Sequence, residues 1–261
     1  MYKFKAIKIV CEIYGELSSA LLSSLKEIGV KNMNIHNGRS VSLIEKSSKI
    51  FSNLITNKME ESTFDIYEFY VHEEDELKVI NYIIKKNELF IPGRGSVYSI
   101  KIDIITNEDK SNINKINITQ TDDSIPYLTK LVGIRCIVQK GNSLTAIKTA
   151  LSVGSSVPIV SIGEGAGLRD KLGLLRIAIS AEKEIVNIVV NENDADEIMN
   201  ILIQTAKIYD VGKGFIYTYP INKGLVNTKI YRGRQKYAAS VDQIISAIDH
   251  LKGNADWRRK F

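Results

Sequence analysis

Two glycine-led segments constrain this chain most. They read Pro92–Ile102 (PGRGSVYSIKI) and Val211–Ile221 (VGKGFIYTYPI), and each pairs two closely spaced glycines with an alternating, strand-like run. Between them lies a polar stretch, Thr106–Ser124 (TNEDKSNINKINITQTDDS), with no sustained apolar period. Such a stretch reads as a linker. A chain with similar segments on either side of a linker is best tested for internal repetition.

The test succeeds element by element. Each half opens with an alternating strand that carries one cysteine, Lys5–Ile13 and Leu131–Gln139, followed by Gly15 or Gly141. A helical pattern follows in each, Leu17–Ile28 and Leu144–Val153, ending at Gly29 and Gly154 as a C-terminal cap favours. Second strands start near Met33–Ile35 and at Pro158–Ile162, and third strands read as Thr63–Val71 and Glu184–Val190. Second helices read as Asp75–Lys86 and Asp194–Ile208, with Asp194 suited to cap the latter. The glycine segments then lead the fourth strands. The order is β-α-β-β-α-β twice, the ferredoxin-like sandwich, so the fold class is α+β. The expected boundaries are a first domain over 1–106, a linker over 107–126, a second domain over 127–232, and a tail over 233–261.

The tail has its own pattern. Val241, Ile244, Ile245, Ile248 and Leu251 fall on one face of an amphipathic helix over Ser240–Leu251. It reads first as packing on its own domain or a neighbouring subunit, and second as binding a partner or membrane surface. The closing Trp257–Phe261 reads as a frayed end rather than a clamp for acidic groups.

Charge locates the basic character. Lys plus Arg total 35 and Asp plus Glu total 30, a net of +5. Lys229–Phe261 holds eight basic and three acidic residues, leaving 27 of each over 1–228. A neutral body with a basic tail lacks the wide basic field of a nucleic-acid-binding domain, so no nucleic-acid partner is expected. No apolar run reaches the roughly 18–20 residues needed to span a bilayer, and Met1–Leu17 has no signal-peptide block. The expected location is cytoplasmic.

No catalytic set emerges. His36, His72 and His250 form no compact metal motif, and two cysteines build neither a disulfide framework nor a zinc cage. Cys11 and Cys136 sit in apolar strands, where a thiol behaves as a small hydrophobe. There is no nucleophile elbow and no P-loop. No enzyme, metal or required cofactor is expected. What remains is the second half's pair of glycine segments, Ile162–Gly167 (IGEGAG) and Val211–Gly214 (VGKG). Closely spaced glycines let backbone N–H groups cradle an anion, and Lys213 adds charge, although tight connections need glycine anyway. Gly93-Arg94-Gly95 repeats the later segment in the first half, which has no counterpart to the earlier one.

At these residues the second half, about Leu131–Lys229, resembles the nitrogen regulatory signal-transduction protein PII family. Gly163-Glu164-Gly165 falls where that family has Gly-Phe-Gly before its mobile T-loop, and Lys183 falls near the lysine at the far base of the loop. Gly212-Lys213-Gly214 matches the Gly-Asp-Gly of its B-loop, and Phe215–Pro220 is similar to the following strand. The first half resembles a degenerate copy through Pro92–Gly95. The resemblance implies tandem PII-like domains and a homotrimer, with a small anionic effector (ATP, ADP or AMP) held by Gly163, Gly165, Lys183, Gly212, Lys213 and Gly214. It implies control of a regulated protein, a membrane transporter or metabolic enzyme, through a loop whose Leu168, Arg169, Leu172 and Leu174 meet the partner. Location could then be peripheral to a membrane transporter.

The departures are several. Ile208-Tyr209 replaces the family's Thr-Gly, Phe215 replaces a lysine, and Val226 and Thr228 stand where two phosphate-binding arginines would. The loop also lacks the tyrosine that some bacterial members modify. Two other readings stand beside this one. One is a ligand-independent interaction or structural module. The other is an RNA-binding tandem ferredoxin-like protein, which would need aromatic residues on its sheet face.

Overall fold

The computed structural model describes residues 1–47, 55–107, 113–118, 128–152, 155–165, 182–210 and 212–226. It divides into two compact units. The first holds the described residues of Met1–Asn37 and Thr63–Leu131 and those from Ile221 onward; the second holds the described residues of Gly38–Ser62 and Val132–Pro220.

In the first unit the elements are β1 (Tyr2–Tyr14), α1 (Ser18–Glu27), the start of β2 (Met33–Ser47), most of β3 (Ile55–Val71), α2 (Glu76–Lys86) and β4 (Gly95–Thr106). Strands neighbour one another in the order β2-β3-β1-β4. β1 pairs antiparallel with both β3 and β4, with Cys11 opposite Tyr67 on one side and Val97 on the other. Alternation sends Ile7, Ile9, Cys11 and Ile13 to the helix side, where they meet Leu21 and Leu25 of α1 and Val79, Ile80, Ile83 and Ile84 of α2. Spacings of three and four put each helix's apolar residues on one stripe. β9 (Lys223–Leu225) returns to this unit and pairs antiparallel with β4, with Leu225 opposite Val97.

In the second unit the succession is β5 (Leu131–Gln139), α3 (Ser143–Ser152), β6 (Ile159–Glu164), β7 (Glu182–Asn191), α4 (Ala195–Thr205) and β8 (Gly214–Ile221). The strand order is β8-β5-β7-β6. This matches the first unit's β4-β1-β3-β2, position for position. The core is built from smaller residues, with Ile134, Cys136 and Val138 meeting Ala146, Ile147 and Ala150 of α3 and Ile198 and Leu202 of α4.

Backbone details recur at a fixed offset. Glu88 and Lys207 both adopt positive φ just after the second helix, at 49° and 55°. Gly93 and Gly212 follow at 90° and 79°. The later member of each pair lies 119 residues after the earlier one, as Gly214 does after Gly95. A Cβ on Gly95 would sit 2.2 Å from the Glu12 carbonyl oxygen, and one on Gly214 would sit 2.1 Å from that of Ile137. Only glycine permits so close an approach of two strands.

Three features differ from the expected boundaries. β2 and β3 run far beyond Ile35 and Thr63, and Gly38–Ser62 groups with the second unit. There Arg39 and Ser40 pair with Val160 and Ile159 of β6, and Val41 enters the second core. The polar residues of this stretch obscured the strand signal. The linker, moreover, is partly docked. Asn114 is buried, its Oδ1 accepts from the Lys31 and Asn32 amides at 2.8 and 2.9 Å, and its Nδ2 donates to the carbonyls of Asn32 and Tyr70. Residues 221–226, expected in the second domain, belong to the first unit, where Glu76 clasps them. Its Oε1 accepts from Ser99 Oγ at 2.5 Å and from Asn222 Nδ2 at 2.6 Å, with Lys223 Nζ 3.9 Å from Oε2. Asp194 stands at the α4 start without a side-chain cap bond, and Asn191 instead accepts from the Asn193 amide. Gly154 and the amphipathic stretch 240–251 lie outside the described residues.

Candidate functional site

The second unit gathers its polar groups at one end of the sheet. β5 ends at Gln139 and turns through Gly141 (φ 89°) into α3. The first N–H groups of a helix have no partner within it and favour a negative charge. Glu184 of β7 supplies that charge: its Oε2 accepts from the Gly141 and Ser143 amides at 3.0 and 3.2 Å. Its Oε1 lies 2.9 Å from Arg39 Nη2, and the Glu184 side chain is 5% exposed. Arg39 Nε is 3.3 Å from Glu61 Oε2, so both strands of the β2–β3 ribbon bear on this carboxylate. Beside it, Lys140 Nζ meets Glu182 Oε2 at 2.6 Å. The natural anion position at the α3 start is therefore filled by the chain itself.

Around this centre stand the residues singled out in the sequence. On β6, Gly163 lies opposite Lys183 and Glu164 opposite Glu182 of β7. A Cβ on Gly165 would press the Lys183 side chain at 2.9 Å, so glycine leaves room for that lysine stem. Gly212 begins the turn into β8, and its carbonyl accepts from Gln139 Nε2 at 3.3 Å. The Lys213 amide donates to the Asp210 carbonyl at 3.1 Å. Thus Gly163, Gly165, Lys183, Gly212, Lys213 and Gly214 all come to the end of the sheet marked by Gln139 and Glu182. They do not converge on one point. β6 and β8 are three strand positions apart in the order, about 14 Å at the usual strand spacing. Leu168, Arg169, Leu172 and Leu174 lie outside the described residues.

Sequence reasoning missed Glu184, Arg39 and Lys140. A signal for Glu184 was present: it falls in phase with Val186, Ile188 and Val190, so alternation already aimed a carboxylate at the helix side. Arg39 had no such signal, because its partner is 145 residues away. Among the described residues no cluster of three or more metal-ligating side chains occurs, and both thiols are buried. Burial pushes the Cys136 thiol up to about 11 and raises that of Cys11 further, aided by the neighbouring Glu12 charge. No helix among the described residues is long and apolar enough to cross a membrane.

No family model matches the chain, and no curated protein matches it. Among solved structures it is similar to Arabidopsis thaliana PII bound to citrate, at 20% identity and a TM-score of 0.30, covering 44% of this chain and 92% of that one. It is also similar to the B. subtilis GlnK–ATP complex at 13% identity and 0.29, covering 38% and 84%, and to B. subtilis GlnK at 13% and 0.28, covering 38% and 86%. At these TM-scores the likenesses carry no weight for the site, whose reading rests on its own residues.

Proposed function

We propose that the chain is a non-catalytic regulatory protein of the PII type, built from two ferredoxin-like domains in tandem. In this reading the second domain senses a small anionic metabolite, an adenine nucleotide, and controls a target protein through the segment between β6 and β7. The observation that carries it is the arrival of Gly163, Gly165, Gly212 and Gly214, with Lys183 and Lys213, at one end of the β5–β8 sheet. Backbone amides and lysine ammonium groups there suit a polyphosphate. Bound nucleotide would favour one arrangement of the segment carrying Leu168, Arg169, Leu172 and Leu174, which then binds or releases a transporter or metabolic enzyme. The proposed assembly is a homotrimer.

Calorimetric titration of ATP, ADP and AMP into the full chain tests this. Saturable heat near one site per chain supports it, and no binding at millimolar nucleotide overturns it. A specific observation favours a second reading, a ligand-independent interaction module: Glu184 already occupies the α3 start, and Glu182 already holds Lys140. Capture of a target by the full chain, unchanged by nucleotide, would select that module.

A further inference from the structure

The residues assigned to the effector stand in two groups on either side of one turn. Gly163, Gly165 and Lys183 belong to the β6–β7 side, and Gly212, Lys213 and Gly214 lead into β8. In the strand order β5 falls between β7 and β8, so the turn from β5 into α3 lies between the two groups. A ligand spanning both groups therefore crosses that turn. There it meets the Glu184 carboxylate, which holds the Gly141 and Ser143 amides and is 5% exposed.

The carboxylate leaves its surroundings incompletely bonded. Ser143 gives its amide to Glu184, but its hydroxyl, in a residue 0% exposed, has no hydrogen-bond partner among the described residues. Arg39, part of the second unit, donates through Nη2 to Glu184 Oε1 at 2.9 Å. Its Nε is buried and makes no hydrogen bond among the described residues, with Glu61 Oε2 3.3 Å away. Buried polar groups without partners are rare and call for an explanation. Here two of them belong to residues that already bond Glu184.

A carboxylate brings two oxygens, and both are engaged: Oε1 by Arg39, Oε2 by the two amides. A terminal phosphate brings three oxygens and more charge, and it suits both a helix start and a guanidinium fork. We propose that the α3 start is a phosphate site which Glu184 holds closed. The inference rests on the proposed function. The effector's terminal phosphate displaces the carboxylate, takes the Gly141 and Ser143 amides together with Arg39, and gives the Ser143 hydroxyl a partner. Glu184 is then a resident competitor. The cost of expelling it raises the nucleotide concentration at which the second domain responds.

The test removes the competitor. Glu184→Ala and the near-isosteric Glu184→Gln are compared with the parent and with Glu164→Gln, which takes an exposed carboxylate from the same end of the sheet. Thermal midpoints of the full chain are read in about 10 mM inorganic phosphate and in chloride of equal ionic strength. Phosphate should raise the midpoint of both Glu184 variants by roughly 3 °C or more, and that of the parent and E164Q by less than about 1 °C. Where the alanine variant is too unstable to fold, the glutamine variant carries the measurement. Calorimetry should then find ATP bound roughly tenfold tighter by E184Q than by the parent, with E164Q close to the parent. Phosphate that lifts no Glu184 variant more than the parent overturns the proposal. Equal ATP affinity in E184Q and the parent does the same, and so does an equal gain in E164Q, which would reduce the effect to charge acting at a distance. Phosphate rescue with no ATP binding by any chain would keep the closed anion site and overturn the nucleotide reading instead.

Discussion

The two units enter their fourth strand through the same turn, yet they leave their second strand in different ways. Before β4 and before β8 the chain makes one backbone solution: a positive-φ residue, a glycine near 80–90°, then a glycine pressed on a neighbouring carbonyl. After β2 and β6 the solutions part. β2 and β3 run to 15 and 17 residues, and β6 and β7 to only 6 and 10. The shared turn is therefore explained by strand packing alone, and its glycines by themselves say little about a ligand. What is specific to the second unit lies in the parts that diverge: Gly163, Gly165 and Lys183, and the segment they border.

The largest expected effect tests the shared turn. Gly95→Ala and Gly214→Ala each place a Cβ near 2 Å from a backbone carbonyl oxygen, which cannot move like a side-chain tip. Each should cost about 3 kcal/mol or more in urea denaturation of the full chain. Equal losses would sustain the comparison. A Gly95→Ala chain as stable as the parent would break it.

Buried carboxylates come next. Glu184→Ala removes the acceptor of the Gly141 amide in the turn and of the Ser143 amide at the α3 start, and the partner of Arg39, and should cost about 2–4 kcal/mol. Glu76→Ala releases Ser99 and Asn222 in the first unit and should cost about 2–3 kcal/mol. Amide hydrogen exchange separates them. The first variant should lose protection at the start of α3, and the second along β9. Loss spread alike over both units would show that neither carboxylate acts locally.

How far this was legible depends on the range of each interaction. Alternation and helical spacing are local, so β5 was read to the residue, and each of the four described α-helices within a few residues of its ends. The helix-side cores followed, since Cys11 and Cys136 lie in phase with their apolar neighbours. The long β2–β3 ribbon was missed, because residues such as Arg39, Ser40 and Glu61 follow no simple apolar alternation. The docked linker was missed for a related reason: Asn114 is polar and looks like loop, but all its amide groups find backbone partners far away in sequence. In the site, glycines and lysines could be named from sequence. That Glu184 fills the helix start could not, since it needs the turn of β5 into α3 to be placed beside β7.

A smaller effect compares the cations within the shared turn. Arg94 Nη1 pairs with Glu88 Oε2 at 2.6 Å and also donates to the Asn87 carbonyl, whereas Lys213 makes no ion pair among the described residues. Arg94→Ala should lower stability by at most about 1 kcal/mol, as exposed pairs do, without altering nucleotide binding. Lys213→Ala should leave the unfolding midpoint in place while weakening ATP binding roughly tenfold through loss of one charge-assisted contact. Unchanged affinity in a chain that does bind ATP would remove Lys213 from the site.

The mildest comparison concerns the matched thiols. Both are buried, and burial favours the neutral form, so little thiolate exists at pH 8 and native alkylation by iodoacetamide should be slow at both. Cys136, pushed up to about 11, should be modified before Cys11, whose thiol is raised further. The linkage has a definite sign. An ordinary thiol in the unfolded chain ionises near 9.0, below the folded value, so stability from this source is complete below pH 9 and declines as pH rises towards 11. Mass spectrometry of timed alkylation at pH 8, 9 and 10 reads both orders. Labelling of Cys11 first would mean that the first unit opens more readily than the second, reversing the ranking that its larger, more aromatic core leads one to expect.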